Sequence, residues 1–320
     1  MTRSSSIAST PVTIGIDISK DHLHAALYPC GETRCFANTR SGHTGLLRWI
    51  ISCNPVRIVF EATGPYHRQL ELRLEQAGLS FAKVNPRQAR RFAEACGRLA
   101  KTDRVDALML ARFGALLEPQ TRAARSDSLM QLAELVAGRR SLIKDRTASL
   151  NRLKTLSLDL LKRHARHRLR QINAQLASLD AVIDTLIASD PVLARRLAIL
   201  VSIPGLGATT AHALLADLPE LGAMDQRQAA SLAGLAPVTR QSGTWNGKSF
   251  IQGGRAHLRQ ALYMPALVAM RFNPDLKRSY ESLVSRGKHA KLAITAVMRR
   301  LVILANALLR DDRTWAPKTA

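Results

Sequence analysis

Four carboxylates stand where they could act together. Asp17 falls at the end of a run of β-branched and small residues, Val12 to Ser19 (VTIGIDIS), and Glu61 follows a short apolar run, Val56 to Phe60 (VRIVF). Both runs have strand composition, and in an α/β sheet two strand ends can meet at one edge. Asp103 and Asp106 lie three apart behind Thr102, a helix-capping residue, so they share a helix face. Four carboxylates converging without cations repel one another unless a divalent ion sits among them. Oxygen-rich sites suit Mg2+ or Mn2+, and phosphoryl transfer is the chemistry such a set performs best. Singly, each acid has a plainer role as turn residue, helix-entry acid, first-turn dipole complement or surface group. Their joint placement is what favours the metal reading.

The elements that must position them are legible around them. Asp21 to Tyr28 and Arg34 to Asn38 follow the first strand, with Pro29, Cys30 and Gly31 as turn material, giving a three-stranded antiparallel opening. Ser41 is placed to cap a helix carrying Leu46, Leu47, Ile50 and Ile51 before the central strand. Pro65 opens a second helix that Gly78 ends, Ser80 to Val84 forms a further strand, and Asn85-Pro86 starts a helix through Ala95. Thr102 caps the next helix, which runs to about Leu117. The pattern predicts a mixed α/β domain over residues 1–120.

Beyond it the period changes. Leu169, Ile172, Leu176, Leu179, Ile183 and Leu186 step by three and four, a heptad seam that suits a helical hairpin or a coiled coil joining subunits. Lys162 to Arg170 (KRHARHRLR) is either a basic tip or a charged turn of helix. Residues 121–191 are expected to form this helical segment, and 192–320 a mainly α domain. Within the latter, Gly205 and Gly207 precede an Ala-rich helix with helix-hairpin-helix spacing. Glycines there let backbone N–H groups approach a phosphate, or they simply serve a tight corner.

Charge decides among function classes. The chain has 320 residues, a formal charge of +23 and a pI near 11.1, which argues against an ordinary metabolic enzyme and for a polyanionic partner. Arg139 to Arg170 carries +9 and Gln226 to Arg310 carries +12, so two stretches account for +21 of the excess. Segments so poor in acids are better explained by phosphate contact than by solvation. A hydrophobic content of 46% is that of a folding chain. No apolar run approaches a membrane span, and Met1 to Val12 carries Ser and Thr where a signal peptide needs an apolar core, so a cytoplasmic protein without a membrane partner is expected. The four cysteines, at 30, 35, 53 and 96, have no zinc-ligand spacing and read as reduced thiols.

The GIDIS of residues 15–19 is also compatible with the first phosphate loop of sugar kinases and actin-like ATPases. The second Gly-rich loop that those proteins need is not visible. Together with Asp17 and Glu61, the blocks GIDISKD (15–21), FEATGPYH (60–67), VNP (84–86) and KTDRVDA (101–107) resemble the DEDD transposases of the insertion-sequence one-ten family. The likeness continues through IPGLG (203–207), LAGLAPVTRQSGTWNGK (232–248), GGRAHLRQALYMPAL (253–267) and RFNP (271–274), so it spans nearly the whole chain.

The resemblance implies a RuvC-like, RNase H-type domain whose Asp17, Glu61, Asp103 and Asp106 hold Mg2+. It also implies a nucleophilic serine, Ser242, in the second domain, and recombination through a covalent phosphoserine. It further implies double-stranded element and target DNA, a structured noncoding guide RNA, and a homo-oligomer, dimer or tetramer, with shared active sites. A serine hydroxyl needs help to attack a phosphate, and Arg240, Lys248, Arg255 and Arg259 are nearby cations for the developing charge. Arg163, Arg166 and Arg168 join Gly205 and Gly207 as candidate nucleic-acid contacts. Trp245 suits base stacking or a core position. Two rivals remain: a RuvC-like nuclease acting by hydrolysis, and a nonenzymatic DNA- or RNA-organising protein.

Overall fold

The structure, a computed structural model, describes residues 11–61, 64, 66–98, 102–121, 126–247 and 249–317, with Trp245 and Asn246 described in their backbone only. It divides into two compact units, Met1–Ala124 and Arg125–Ala320.

The first unit is a five-stranded sheet in the order β3-β2-β1-β4-β5, built from β1 (Thr13–Ile18), β2 (His22–Tyr28), β3 (Thr33–Ala37), β4 (Arg57–Glu61) and β5 (Phe81–Val84). β1, β2 and β3 are antiparallel neighbours, whereas β4 runs parallel to β1 and β5 parallel to β4. This order and sense make the sheet RNase H-like, as expected from the sequence. The helices are α1 (Arg40–Cys53), α2 (Arg68–Gln76), α3 (Pro86–Ala95) and α4 (Asp103–Leu117). Thr39, not Ser41, caps α1, its hydroxyl accepting from the Gly42 N–H. The start expected at Pro65 lies outside the described residues, and α2 begins at Arg68. All four cysteines are free.

One contact fixes the height of α4 on the sheet. A Cβ added at Gly15 would stand 2.1 Å from the Ala111 backbone nitrogen and 2.3 Å from the Ala107 carbonyl oxygen, so only glycine lets β1 and α4 lie this close. Gly15→Ala should therefore cost about 3 kcal/mol or more of stability, read as a fall in the urea midpoint. Gly45→Ala is the control: its Cβ would lie 3.6 Å from the Phe36 ring, an ordinary contact, and should leave stability unchanged or raised.

The second unit is mainly helical. α5 (Asp127–Thr155) and α6 (Asp159–Ser189) pack as an antiparallel hairpin, with Arg139 Nε bonded to Asp180 Oδ1 at 2.5 Å. Ile172, Leu176 and Ile183 of the heptad seam are buried within this one chain. The break falls at residues 156–158, so Lys162 to Arg170 is a charged stretch of α6 beside the tip and not the tip itself. Against the expected division at 121–191 and 192–320, Leu132, Val136, Ile183 and Ile187 at the base of the hairpin share one core with the helices that follow, within one compact unit.

Those helices are α7 (Pro191–Val201), α8 (Ala208–Asp217), α9 (Gln226–Leu232), α10 (Ala256–Phe272), α11 (Pro274–Ser285) and α12 (Ala290–Arg310). The sequence reading found no apolar run near the length of a membrane span. α12, with 21 residues and an 18-residue window of mean hydropathy 1.8, is long and apolar enough by composition to cross a membrane, although Arg299 and Arg300 interrupt it. Its apolarity answers to the protein core: Val297, Leu301, Val302, Ala305 and Leu308 are fully buried, and Asn306 is clamped between the Gly222 N–H and the Met224 carbonyl.

Candidate active site

Parallel pairing of β1 with β4 sets Ile16 beside Phe60, so the next residues, Asp17 and Glu61, emerge side by side at the carboxyl ends of the strands. Thr102 caps α4 through its hydroxyl, which accepts from the Val105 N–H, and places Asp103 and Asp106 in the first turn. All four carboxylates line one cleft of about 890 Å3. Two loops bordering it are pinned together, since the Asn38 amide Nδ2 donates to the carbonyls of Ser19 (2.9 Å) and Tyr66 (3.3 Å). Both partners are acceptors, so Asn38 must present its oxygen to the ring of His43, whose Nε2 lies 2.7 Å away. Burial and nearby Arg73 lower the pKa of His43, which keeps it neutral and able to donate from Nε2.

The electrostatics of the cleft are those of a strained acid set. Burial pushes the Asp17 carboxyl up to about 6, with repulsion from Asp103 and Asp106 adding to it and His24 and the Ile18 amide opposing it. His24, which pairs with Asp17 across β1 and β2, holds its Nε2 3.5 Å from Asp103 Oδ2. This donor chemistry fits a hard divalent cation, whose charge would relieve the repulsion. Among the described residues, no three His, Cys, Asp or Glu side chains form a closed ligand cluster. The four acids therefore share a cleft without being drawn in to ion-binding distance.

A stability prediction follows from the Asp17 shift. A raised carboxyl pKa means the folded state holds its proton more tightly than the unfolded chain. The associated stability is complete below about pH 4 and is lost as the pH rises through about 6. Asp17→Asn should thus match the parent's melting temperature at pH 4 and exceed it at pH 7.5, both measured with chelator. Equal differences at the two pH values would contradict the shift.

Residues 14–164 match the family model described as DEDD transposase, and residues 197–281 match the model for transposases of the IS116/IS110/IS902 family. The pilin gene-inverting protein of Moraxella bovis is 32% identical over 316 residues, covering 94% of this chain and 97% of that one. The chain belongs to the IS110 family of transposases. The pilin gene-inverting protein of Moraxella lacunata matches this transposase at the same 32% identity and the same coverage. A 43.6 kDa uncharacterized protein of insertion element IS110 from Streptomyces coelicolor is 30% identical over 49% of this chain and 38% of its own. A T. thermophilus RuvC in complex with a Holliday junction substrate overlaps 33% of the transposase and 96% of its own chain at 15% identity and a TM-score of 0.25, an overlap too slight to add to the sheet order.

In the second unit of the transposase, residues 237–247 and 249–251 form a ribbon of short strands, exposed from Pro237 to Thr244. β6 (Pro237–Val238) pairs with β9 (Phe250–Ile251), and β7 (Gln241–Ser242) pairs with β8 (Trp245–Asn246) around a Gly243–Thr244 turn. Ser242 is exposed at the tip, opposite Trp245. Arg240 lies over the Phe250 ring, 4.8 Å from its centroid. Lys248 lies outside the described residues, as does the side chain of Trp245.

Two of the expected phosphate contacts are taken up inside the protein. Arg255 donates to the Asp217 carbonyl and, from both terminal nitrogens, to Glu220 at 2.8–2.9 Å. Arg259 donates to the carbonyls of Gly253 and Gly234 and so ties together the two feet of the ribbon. These arginines shape the ribbon's base. Gly205 (φ 102°) has its missing Cβ directed at Ala269 of α10, 2.7 Å from the backbone nitrogen, so close packing accounts for it, while the space beside Gly207 at the start of α8 is open. Arg163, Arg166 and Arg168 are exposed on α6. Sequence reasoning passed over Lys20, Arg87 and Arg91, which line the acid cleft. Their only signal was proximity to motif blocks.

Proposed function

We propose that this transposase is a DNA recombinase that exchanges strands by transesterification, with Ser242 as nucleophile and the cleft of Asp17, Glu61, Asp103 and Asp106 as the site for Mg2+ or Mn2+. The observation that carries this reading is the arrival of four carboxylates from two adjacent strand ends and one helix turn at a single cleft. A bound divalent ion would supply charge neutralisation at the reacting phosphate and a more acidic attacking hydroxyl. The chain's own residues do the rest. Ser242 Oγ forms a bond to phosphorus and the P–O3′ bond breaks. The serine proton passes to solvent, and the departing 3′ oxygen takes one up. A 3′ hydroxyl from the partner strand then attacks the 5′-phosphoserine and frees Ser242. Bond energy is conserved, so no ATP is needed.

The relatives named for inverting a pilin gene favour this reading over hydrolysis, because an inverted segment must be resealed at both ends. Arg163, Arg166, Arg168, Arg240, Lys248 and the open start of α8 at Gly207 serve as nucleic-acid contacts, with Arg255 and Arg259 holding the serine ribbon in shape. Element DNA, target DNA and a structured guide RNA are the partners, and the exposed Leu158, Leu160 and Leu161 beside the hairpin tip suit assembly of a dimer or tetramer. Covalent trapping tests the proposal. Full-length protein incubated with element-end DNA and Mg2+ should yield a denaturant-resistant adduct on Ser242, whereas cleavage without adduct would establish the nuclease reading. Metal-dependent scission of either kind would dismiss a purely organising role.

Salt dependence tests the basic helix separately. Replacing Arg163, Arg166 and Arg168 together by Gln should lower the slope of log K against log salt by about 3, close to one unit per lost phosphate contact. An unchanged slope would make the run a solvated face.

A further inference from the structure

The acid cleft has a second wall of opposite sign. Glu61 pairs with Val84, and α3 starts two residues later at Pro86, so its first turn stands at the same sheet edge as the carboxylates. Arg87, Arg90 and Arg91 of α3 line the cleft, joined by Lys20 from the loop after β1. Arg90 is committed, its Nε donating to Glu94 at 2.9 Å. Arg87 and Arg91 are one helical turn apart and, like Lys20, take no carboxylate partner among the described residues. Phe92 packs edge-on against Phe113 of α4 with ring centroids 5.2 Å apart, which fixes the face that α3 turns to the cleft.

Two features separate this wall from a solvated helix face. Arginine in a first helical turn opposes the helix dipole, and α3 has no first-turn acid to offset it. The same cleft also holds four carboxylates, yet the three free cations are not spent on them. An acid-lined cleft repels a polyanion, so a DNA strand can settle there only against positive charge placed beside the acids.

We infer that Lys20, Arg87 and Arg91 form a phosphate rim that seats the backbone of a DNA strand across the acid cleft, gripping phosphates that flank the reacting one. The inference rests on reading the cleft as the strand-transfer site, and it assigns the side chains that dock the strand and do not react with it. The charge complement is specific to this edge: an acid floor for the reacting phosphate and a basic rim for its neighbours.

Binding of a double-stranded oligonucleotide by the full chain, titrated with salt in the presence of Mg2+, is the test. Arg87→Gln with Arg91→Gln should lower the salt slope by about 2 and raise Kd about tenfold or more near physiological salt. Arg87→Lys with Arg91→Lys keeps the charges and should keep the slope. A Gln variant with an unchanged DNA slope overturns the inference, as does a loss confined to RNA. Equal weakening by the Gln and Lys pairs, with a lowered melting temperature in both, also overturns it by showing a structural role. The assay reads binding alone, so failure of the strand-transfer reading would appear separately, as intact recombination by Asp17→Asn protein.

Discussion

Asp17→Asn protein should bind nucleic acid at least as tightly as the parent and lose strand transfer by about a thousandfold or more, close to 4 kcal/mol of barrier. The substitution keeps the volume and removes one charge from a set whose members repel one another, so the fold gains where the chemistry loses. Asp17 is the member to change because the repulsion of the set is concentrated on its carboxyl, on a strand buried at Ile16 and Ile18. Strand transfer should be measured at saturating DNA so that affinity does not enter. Recombination at the parental rate would remove the acid cleft from the mechanism.

Ser242→Ala should abolish the covalent adduct altogether, while Ser242→Cys should retain an adduct of changed chemical lability. The reason lies in a division of labour. The first unit offers carboxylates in a cleft where the Ser19 hydroxyl is tied to the His22 backbone, and the ribbon of the second offers an exposed hydroxyl that bonds to no described side chain. If the two sets meet across subunits, mixing Asp17→Ala with Ser242→Ala protein should restore partial activity, because some assemblies then pair an intact acid set with an intact serine. An adduct formed by Ser242→Ala protein alone would identify another nucleophile.

Much of this arrangement is readable from sequence where local chemistry and tertiary demand agree. Val12 to Ser19 and Val56 to Phe60 fold as the strands their composition predicts, and Thr102 caps the helix whose first turn carries Asp103 and Asp106. The meeting of Asp17 and Glu61 was legible because parallel neighbours end at one edge. The proposal of Ser242 rests on family resemblance, since a serine before a glycine has no local signature. The partners of Arg255 and Arg259 at Asp217, Glu220 and Gly234 were not legible, because groups 25 to 38 positions away leave no trace in a local window. Arg87 and Arg91 were overlooked for the reverse reason: charge on a short helix reads as solvation until a cleft is found in front of it. A heptad pattern shows that a face is buried and not what buries it, so the core that the hairpin shares with later helices is not legible in the sequence.

The Gly15 contact has a dynamic consequence. A strand and a helix touching backbone to backbone cannot part by rotating a side chain, so the body of α4 opens only when the sheet itself opens. Amide protons of Ala107 to Ala111 should then exchange with solvent at the rate of global unfolding, in one cooperative unit with β1. Asp103 and Asp106 ride on that unit. The helix that carries Asp103 and Asp106 is thereby kept in register with β1 along its body for as long as the fold persists.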